Sequence, residues 1–335
     1  MSTSLLKSSV VFGVMKWTCL LMVAGVATGL SISCGSEFIS PGDWTAAENV
    51  IIIKLRLLRS INCFCIGGAL AMSGAACQAV LRNPLAEPYI LGVSGGAGVG
   101  AALAFLTGAA ALSIYSIALF SFAGAVAALL LAIAMGGIFV GAGGVRSDNI
   151  LLSGVVIGAL ASSLLMFVIS TLNFNELGGI TFWLMGDVQC GSIALLRALA
   201  TIFVLGGIGL WLLGNQVDLL ALDDNFAHYS GVDVRHVTLA VLLLTALLAG
   251  GAVASGGMIG FVGLMVPHIL RKIFGPGHRN LFLLSALGGG AFLLLCDVAG
   301  RSLLEAREIP VGIICAFLGG PFFLWLLRCR VRRGR

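Results

Sequence analysis

The stretch RNPLAEPYILGVSGGAGVG, residues 82–100, interrupts a chain that is otherwise close to continuous hydrocarbon. It follows one apolar run, brings two prolines and a charge pair, and opens a second run rich in glycine. Proline fixes φ and removes a backbone donor, so Pro84 and Pro88 are expected to end the preceding helix. Asn83 is expected to satisfy carbonyls freed at that end, and the glycines that follow let the next helix pack closely. The stretch therefore reads as a turn joining two membrane helices.

Composition supports the solvent that this reading assumes. Of 335 residues, 59% are hydrophobic and 10% charged, with a mean hydropathy of +1.10; soluble domains carry about 25% charged residues. Ten apolar runs recur, near 10–33, 57–81, 90–107, 114–140, 150–172, 193–213, 237–254, 259–270, 281–299 and 309–327. Most approach the roughly 20 residues that cross about 30 Å of hydrocarbon as a helix. The runs are continuous rather than alternating, which excludes a barrel. The expected fold is all-α: one polytopic domain over residues 1–335 with about ten transmembrane helices. The first run is longer than a signal-peptide core and ends in no clear cleavage site, so it reads as a retained helix.

Lysine and arginine set the orientation. With the N-terminus cytoplasmic, the inner segments hold Lys7, Arg82, Arg146, Arg235, Arg271, Lys272, Arg279, Arg328, Arg330, Arg332, Arg333 and Arg335. The outer segments hold only Lys54, Arg56, Arg59, Arg301 and Arg307, while Lys16 and Arg197 fall inside runs. Both termini are thus expected in the cytoplasm, and the net charge of +5 reflects bilayer orientation rather than nucleic-acid binding. Among nine cysteines, Cys63 and Cys65 read as buried small hydrophobes; Cys34 and Cys190 fall near outer loops, and the sequence leaves their pairing open.

Forty-seven glycines allow helices to approach closely in a solvent that gives them no hydrophobic drive to associate. Two segments read as broken membrane elements: residues 83–100 and the stretch ASGGMIGFVGLMVPHILR at 254–271. Matching interruptions in two halves are what a substrate path at a repeat interface leaves in sequence.

The chemistry of other classes is missing. No G-x-x-x-x-G-K-[ST] occurs and none of the four lysines follows a glycine, so ATP has no P-loop here. A gradient-driven carrier or an intramembrane enzyme places ionisable residues deep in the bundle. These runs are nearly bare: Asp297 and Arg197 lie toward outer ends, and Asp297 and Arg301 are spaced for an ion pair. His268 and His278 read as interfacial polar residues.

The longest inner interruption is GNQVDLLALDDNFAHYSGVDVRH, residues 214–236. Leucines beside Asp223 and Asp224, then Phe226, Tyr229 and Gly231, suit one or two short amphipathic helices with a glycine stop. A helix lying on anionic lipid is usually basic; this one carries Asp218, Asp223, Asp224 and Asp233 and fits a protein partner.

With these residues in view, the chain resembles the FecCD-type permease subunits of ABC importers for iron-siderophores, haem and cobalamin. The resemblance is carried by RLLR (56–59), GALAMSGAACQAVLRNPLAEPYILGVSGGAGVG (68–100), LLSGVVIGAL (151–160), FWLMGD (182–187), LLALDDNFAHYSGVDV (219–234), GFVGLMVPHILR (260–271), LFLLSALGGGAFLLLCDVAGR (281–301) and EIPVGIICAFLGGPFFLWLL (308–327). Leu58 stands where the family commonly has proline, and Gly256-Gly257-Met258 replaces a more usual turn.

The resemblance implies a non-enzymatic permease in a bacterial or archaeal plasma membrane, paired with a second copy of itself or with a similar subunit. It implies two ATPase subunits below, which bind ATP and Mg so that this chain needs no cofactor, and a periplasmic or lipid-anchored substrate-binding protein above. The cargo would be a metal chelate, an iron-siderophore first, with cobalamin or haem as alternatives. Arg56, Arg59 and Arg301 resemble outer basic residues that receive the binding protein. Asp218, Leu219, Leu220, Leu222, Asp223, Asp224, Phe226, His228, Gly231 and Val232 match the loop coupled to the ATPase. Asn83, Pro84, Leu85, Ser147 and Asp148 resemble a cytoplasmic gate, and Ser153, Gly154, Gly158 and Ser162 a path lining.

Overall fold

The computed structural model describes residues 2–35, 37–137, 147–188, 192–304 and 307–333. Arg146, Cys190 and Arg335 lie outside the described residues, as do the side chains of Lys7 and Ser147. The described residues form helices and turns: α1 (Ser2–Ser33), α2 (Val50–Val80), α3 (Val93–Leu106), α4 (Ala109–Leu112), α5 (Ile114–Met135), α6 (Ser147–Ser170), α7 (Phe174–Leu184), α8 (Ile193–Leu222), α9 (Asp224–Tyr229), α10 (Val234–Gly256), α11 (Val262–Phe274), α12 (His278–Ser302) and α13 (Val311–Arg333). The ten expected runs correspond to α1, α2, α3, α5, α6, α8, α10, α11, α12 and α13. The short α4, α7 and α9 sit in connections. Among the described residues, six helices are long and apolar enough to cross a membrane unaided.

Helix α2 is the centre of the bundle. It packs along α12, α10, α8 and α11, while α3, α5 and α6 form a second group beside it. Small residues make these approaches possible. A Cβ on Gly67 would collide with the Gly289 carbonyl of α12, one on Gly74 with Gly263 of α11, and one on Gly96 with Gly124 of α5. Backbone-to-backbone contact of this kind gives the dispersion energy that holds helices together in lipid.

Two of the crossings are built from short helices. At 14 and 13 residues, α3 and α11 are each only about 20 Å long, and each is preceded by irregular chain. Before α3 runs the turn at 81–87, a 3-10 turn at Pro88–Leu91 and Gly92 at φ +86°. Before α11 runs the stretch 257–261, ending in Phe261 at φ +69°. These are the two broken elements expected from sequence, and they touch: the Ile259 amide donates to the Tyr89 hydroxyl at 3.1 Å, and the Phe261 amide faces the Glu87 carboxylate.

Inside α11, Pro267 lacks the N–H that would bond Gly263 four residues back. Gln78 of α2 fills the gap: its Nε2 donates to the carbonyls of Gly263 and Leu264, both at 3.3 Å. At the C-terminal end of the same helix, the ammonium of Lys16 donates to the Ile273 carbonyl at 2.5 Å, and Trp17 meets Phe274 edge-on.

The inner interruption differs from expectation in its first half. Residues 214–222 continue α8 without a break, so that helix is 30 residues, or about 45 Å, and only 223–233 departs from it. Polar residues on a helix that outruns the hydrocarbon look like a loop when polarity alone is read. Cys63 and Cys65 are buried as expected. His268 and His278 are both buried within the protein, the first edge-on to Phe322 and the second bound to Asp218.

Candidate functional site

At one end of the bundle, the turn after α2 and the short helix α9 are joined. Arg82 takes a left-handed conformation at φ +47°, which costs an L-residue roughly 1–2 kcal/mol. Its side chain offsets that cost. Nε donates to the Leu220 carbonyl at 2.9 Å, near the end of α8, and Nη2 pairs with the Asp224 carboxylate. The turn that follows is closed by Asn83, but not as expected. Asn83 donates to no freed helix carbonyl here; its Oδ1 accepts from the Leu85 amide at 3.0 Å and its carbonyl from the Ala86 amide at 3.0 Å. Short Asn side chains favour this local turn because the acceptor reaches the amide two residues on.

Helix α9 is fixed at both ends. Asp223 is its N-cap, its carboxylate accepting from the amides of Asn225 at 2.8 Å and Phe226 at 3.1 Å. Its C-terminus closes in a Schellman turn: Gly231 at φ +84° donates to His228, and the Val232 amide donates to Ala227, each at 3.0 Å. Ala227 and Val232 are buried beneath the turn, as is Leu220 at the end of α8, and Leu219 is half-buried. Leu222 is 69% exposed, Phe226 51% and Tyr229 87%, with His228 exposed between them. Asp218 points elsewhere. It accepts from the His278 backbone amide at 2.8 Å and meets its Nδ1 at 2.6 Å, placing a negative charge at the N-terminus of α12.

Leu222 at the end of α8 and Phe226, His228 and Tyr229 of α9 are therefore presented beside acidic residues that are engaged within the subunit: Asp223 as N-cap and Asp224 with Arg82. Among the described residues no cluster of His, Cys, Asp and Glu could hold a metal ion.

At the opposite end, the three arginines named from sequence converge on one carboxylate and one helix terminus. Arg59 donates to Asp297 from Nη2 at 2.9 Å and Nε at 3.1 Å, and to Glu308 from Nη1 at 2.8 Å. Arg301 Nε lies 2.9 Å from the other oxygen of Asp297, in ion-pair contact though not aligned as a hydrogen bond. Its Nη groups donate to the carbonyls of Cys34 at 3.0 Å and Ser31 at 3.1 Å. Arg56 donates to the carbonyls of Ser33 at 2.9 Å, Ile32 at 3.2 Å and Glu37 at 2.8 Å.

The gate and path residues divide likewise. Asp148 is exposed in the first turn of α6, and Ser153 is half-buried. Gly154 and Gly158 face the 3-10 turn: a Cβ on Gly154 would lie 2.7 Å from the Leu91 Cα, and one on Gly158 3.6 Å from that of Gly92. They pack the turn against α6. Ser162 is exposed and bonds the Gly158 carbonyl of its own helix at 2.8 Å, leaving an apolar outer face that includes Leu160, Leu164 and Phe167.

Residues 18–329 match the FecCD transport family. The chain belongs to that family. Among its FecCD relatives, the vitamin B12 import system permease protein BtuC of Salmonella paratyphi A is 35% identical over 308 residues, covering 90% of this chain and 91% of the relative. That of Escherichia coli O17:K52:H18 is 36% identical over 319 residues, covering 93% and 94%. A solved structure described as an inward-facing conformation of a metal-chelate type ABC transporter superposes with a TM-score of 0.82 at 29% identity, over 93% of this chain and 97% of that one. PsaBC from Streptococcus pneumoniae, in complex with Fab, shares the fold at a TM-score of 0.57 and 18% identity, over 80% and 89%. The protein is thus a multi-pass membrane permease with the fold of an ABC importer subunit.

Within this FecCD permease the sequence reading missed three features. Arg56 and Arg301, expected among the outer basic residues that receive the binding protein, are 9% and 6% exposed, because the last carbonyls of α1 have no helical partner and take their donors from these guanidiniums. Arg59 keeps the greater exposure. Glu87 and Tyr89 escaped notice because their partners, Phe261 and Ile259, lie some 170 residues away in sequence. The Arg82 link to Asp224 was missed for the same reason.

Proposed function

We propose that this FecCD permease is the transmembrane subunit of an ATP-driven importer of a metal chelate, working by alternating access as a pair of identical subunits. Two ATPase subunits dock at the inner end and a substrate-binding protein at the outer end, with both termini of this chain in the cytoplasm. The observation that carries the reading is the α9 helix. It offers an exposed apolar face and is tied through Arg82 to the turn that joins the two broken elements. A partner that moves α9 moves that turn. Arg82 through Leu85, with Asp148, form the inner gate, and Ser153 and Ser162 stand on the helix along the path.

At the outer end, Arg59 is the arginine with most freedom to receive acidic side chains of the binding protein. Arg56 and Arg301 support it by holding α1 and Asp297 in place. Identity of 35–36% to permeases of vitamin B12 import over at least 90% of the chain makes cobalamin the first cargo to test, and ferric siderophores the second.

The deciding experiment reconstitutes the chain in vesicles with and without its ATPase, and supplies cobalamin or ferric siderophore on the binding protein. Uptake that requires ATP and the ATPase supports the proposal. Accumulation driven by an ion gradient through this chain alone overturns it.

A further inference from the structure

An apolar groove of about 440 Å³ opens on the flank of the bundle between α1, α2, α8 and α12, lined by Trp17, Phe64, Met72, Phe203, Trp211 and Leu283 among others. No polar side chain lines it, and Gly207 deepens its floor against Met72. Its mouth is different. Arg279, at the start of α12, lies with its guanidinium 4.0 Å from the centre of the Trp211 ring, and it is exposed. Among the described residues Arg279 makes no ion pair, and the nearby carboxylate, Asp218, is already engaged by His278. Lys16 adjoins Trp17, and Lys272 is exposed on α11 at the same end of the bundle.

An apolar groove flanked at Trp211 by a cation with free N–H donors suits a lipid, acyl chain in the groove and anionic headgroup on the cation. The cation–π contact with Trp211 holds the guanidinium without using its N–H donors. Those donors match two phosphate oxygens, a geometry that an ammonium cannot reproduce. Basic pockets between membrane helices on the cytoplasmic side bind anionic headgroups for this reason. We infer that this groove is a binding site for an anionic phospholipid of the cytoplasmic leaflet, its acyl chain against Phe203 and Met72 and its phosphodiester on Arg279.

The leaflet assignment rests on the orientation proposed above; the binding itself does not, and is measured without transport. The full-length chain in nanodiscs is titrated with phosphatidylglycerol or phosphatidylcholine brominated on the acyl chain. Trp211 quenching is read as the difference from a Trp211→Phe variant. Phosphatidylglycerol should saturate quenching at a several-fold lower mole fraction than phosphatidylcholine. Arg279→Gln should abolish that preference, Arg279→Lys should keep part of it, and Gly207→Leu, which fills the floor, should remove quenching by both lipids. Equal quenching by the two lipids in the native chain, or an unchanged preference in Arg279→Gln, overturns the assignment.

Discussion

Arg82 and Asp224 form an ion pair between the turn that ends α2 and the first residue of α9, 142 residues apart in sequence. The same guanidinium holds the Leu220 carbonyl, so one side chain binds the end of the central helix to both sides of the α8–α9 junction. Both partners are about a third exposed, and pairs in that setting contribute roughly 0.2–1 kcal/mol. The link is therefore too weak to matter for folding and well placed to matter for transmission.

Arg82→Ala should leave the melting temperature within a few degrees of wild type while separating hydrolysis from uptake. In vesicles containing the assembled transporter, ATP consumed per cargo molecule is expected to rise several-fold. The exchange Arg82→Asp with Asp224→Arg should recover part of the loss, although the Leu220 bond is not restored. Unchanged stoichiometry in Arg82→Ala would remove the turn from the coupling route.

The outer arginines separate into a stabilising pair and an accessible one. Arg56→Ala removes a guanidinium donor from the carbonyls of Ile32, Ser33 and Glu37, of which Ser33 keeps the Ile39 amide, and orphaning such groups costs about 1–3 kcal/mol each at most. Thermal unfolding of the detergent-solubilised chain should show a clear drop. Arg59→Ala leaves Asp297 paired to Arg301 and should unfold close to wild type, yet weaken docking of the binding protein by surface plasmon resonance. A docking loss confined to Arg56→Ala would reverse the assignment.

The ten crossings could be read from sequence because a membrane helix must be apolar over its whole length, whatever it packs against. The two breaks could be read because proline and glycine punctuate locally. What the chain did not disclose are relations set by packing. A guanidinium at a helix end looks the same whether it points to solvent or to the carbonyls of another helix, so Arg56 and Arg301 read as outer docking residues. Gly154 and Gly158 pack against the 3-10 turn, a neighbour that smallness alone does not name. The stretch from Gly214 to Leu222 read as loop because polarity reports solvent, and a helix that projects beyond the bilayer is solvated too.

Gln78 and Pro267 make a compensating pair, and that can be tested by non-additivity. Proline at position 267 frees the Gly263 carbonyl, and Gln78 accepts the burden from across the helix interface at 3.3 Å. Gln78→Leu alone should cost about 1 kcal/mol, the scale of an interhelical hydrogen bond in a membrane protein. In a Pro267→Ala background, where an amide returns to the ladder, the same change should cost less. The coupling is read from a double-mutant cycle of unfolding midpoints; strict additivity would mean that Gln78 acts through packing alone.

Phe261 shows where the second break holds strain. A bulky residue at φ +69° sits in a region that costs about 1–3 kcal/mol and persists only when its surroundings impose it. Two contacts do so: its amide faces Glu87 of the first break, and its ring occupies the space that Gly319 leaves open on α13 beside Phe323. A methyl group at position 319 would overlap the ring, so Gly319→Ala must displace Phe261 and with it the contact between the two breaks. Uptake by the assembled transporter should fall about tenfold or more while ATP hydrolysis persists. Phe261→Gly removes both the overlap and the backbone penalty, because glycine enters the left-handed region freely. Adding it to Gly319→Ala should restore a substantial part of transport. If the double variant is no better than Gly319→Ala, the defect lies elsewhere on α13, and Phe261 is not the element through which that helix bears on the break.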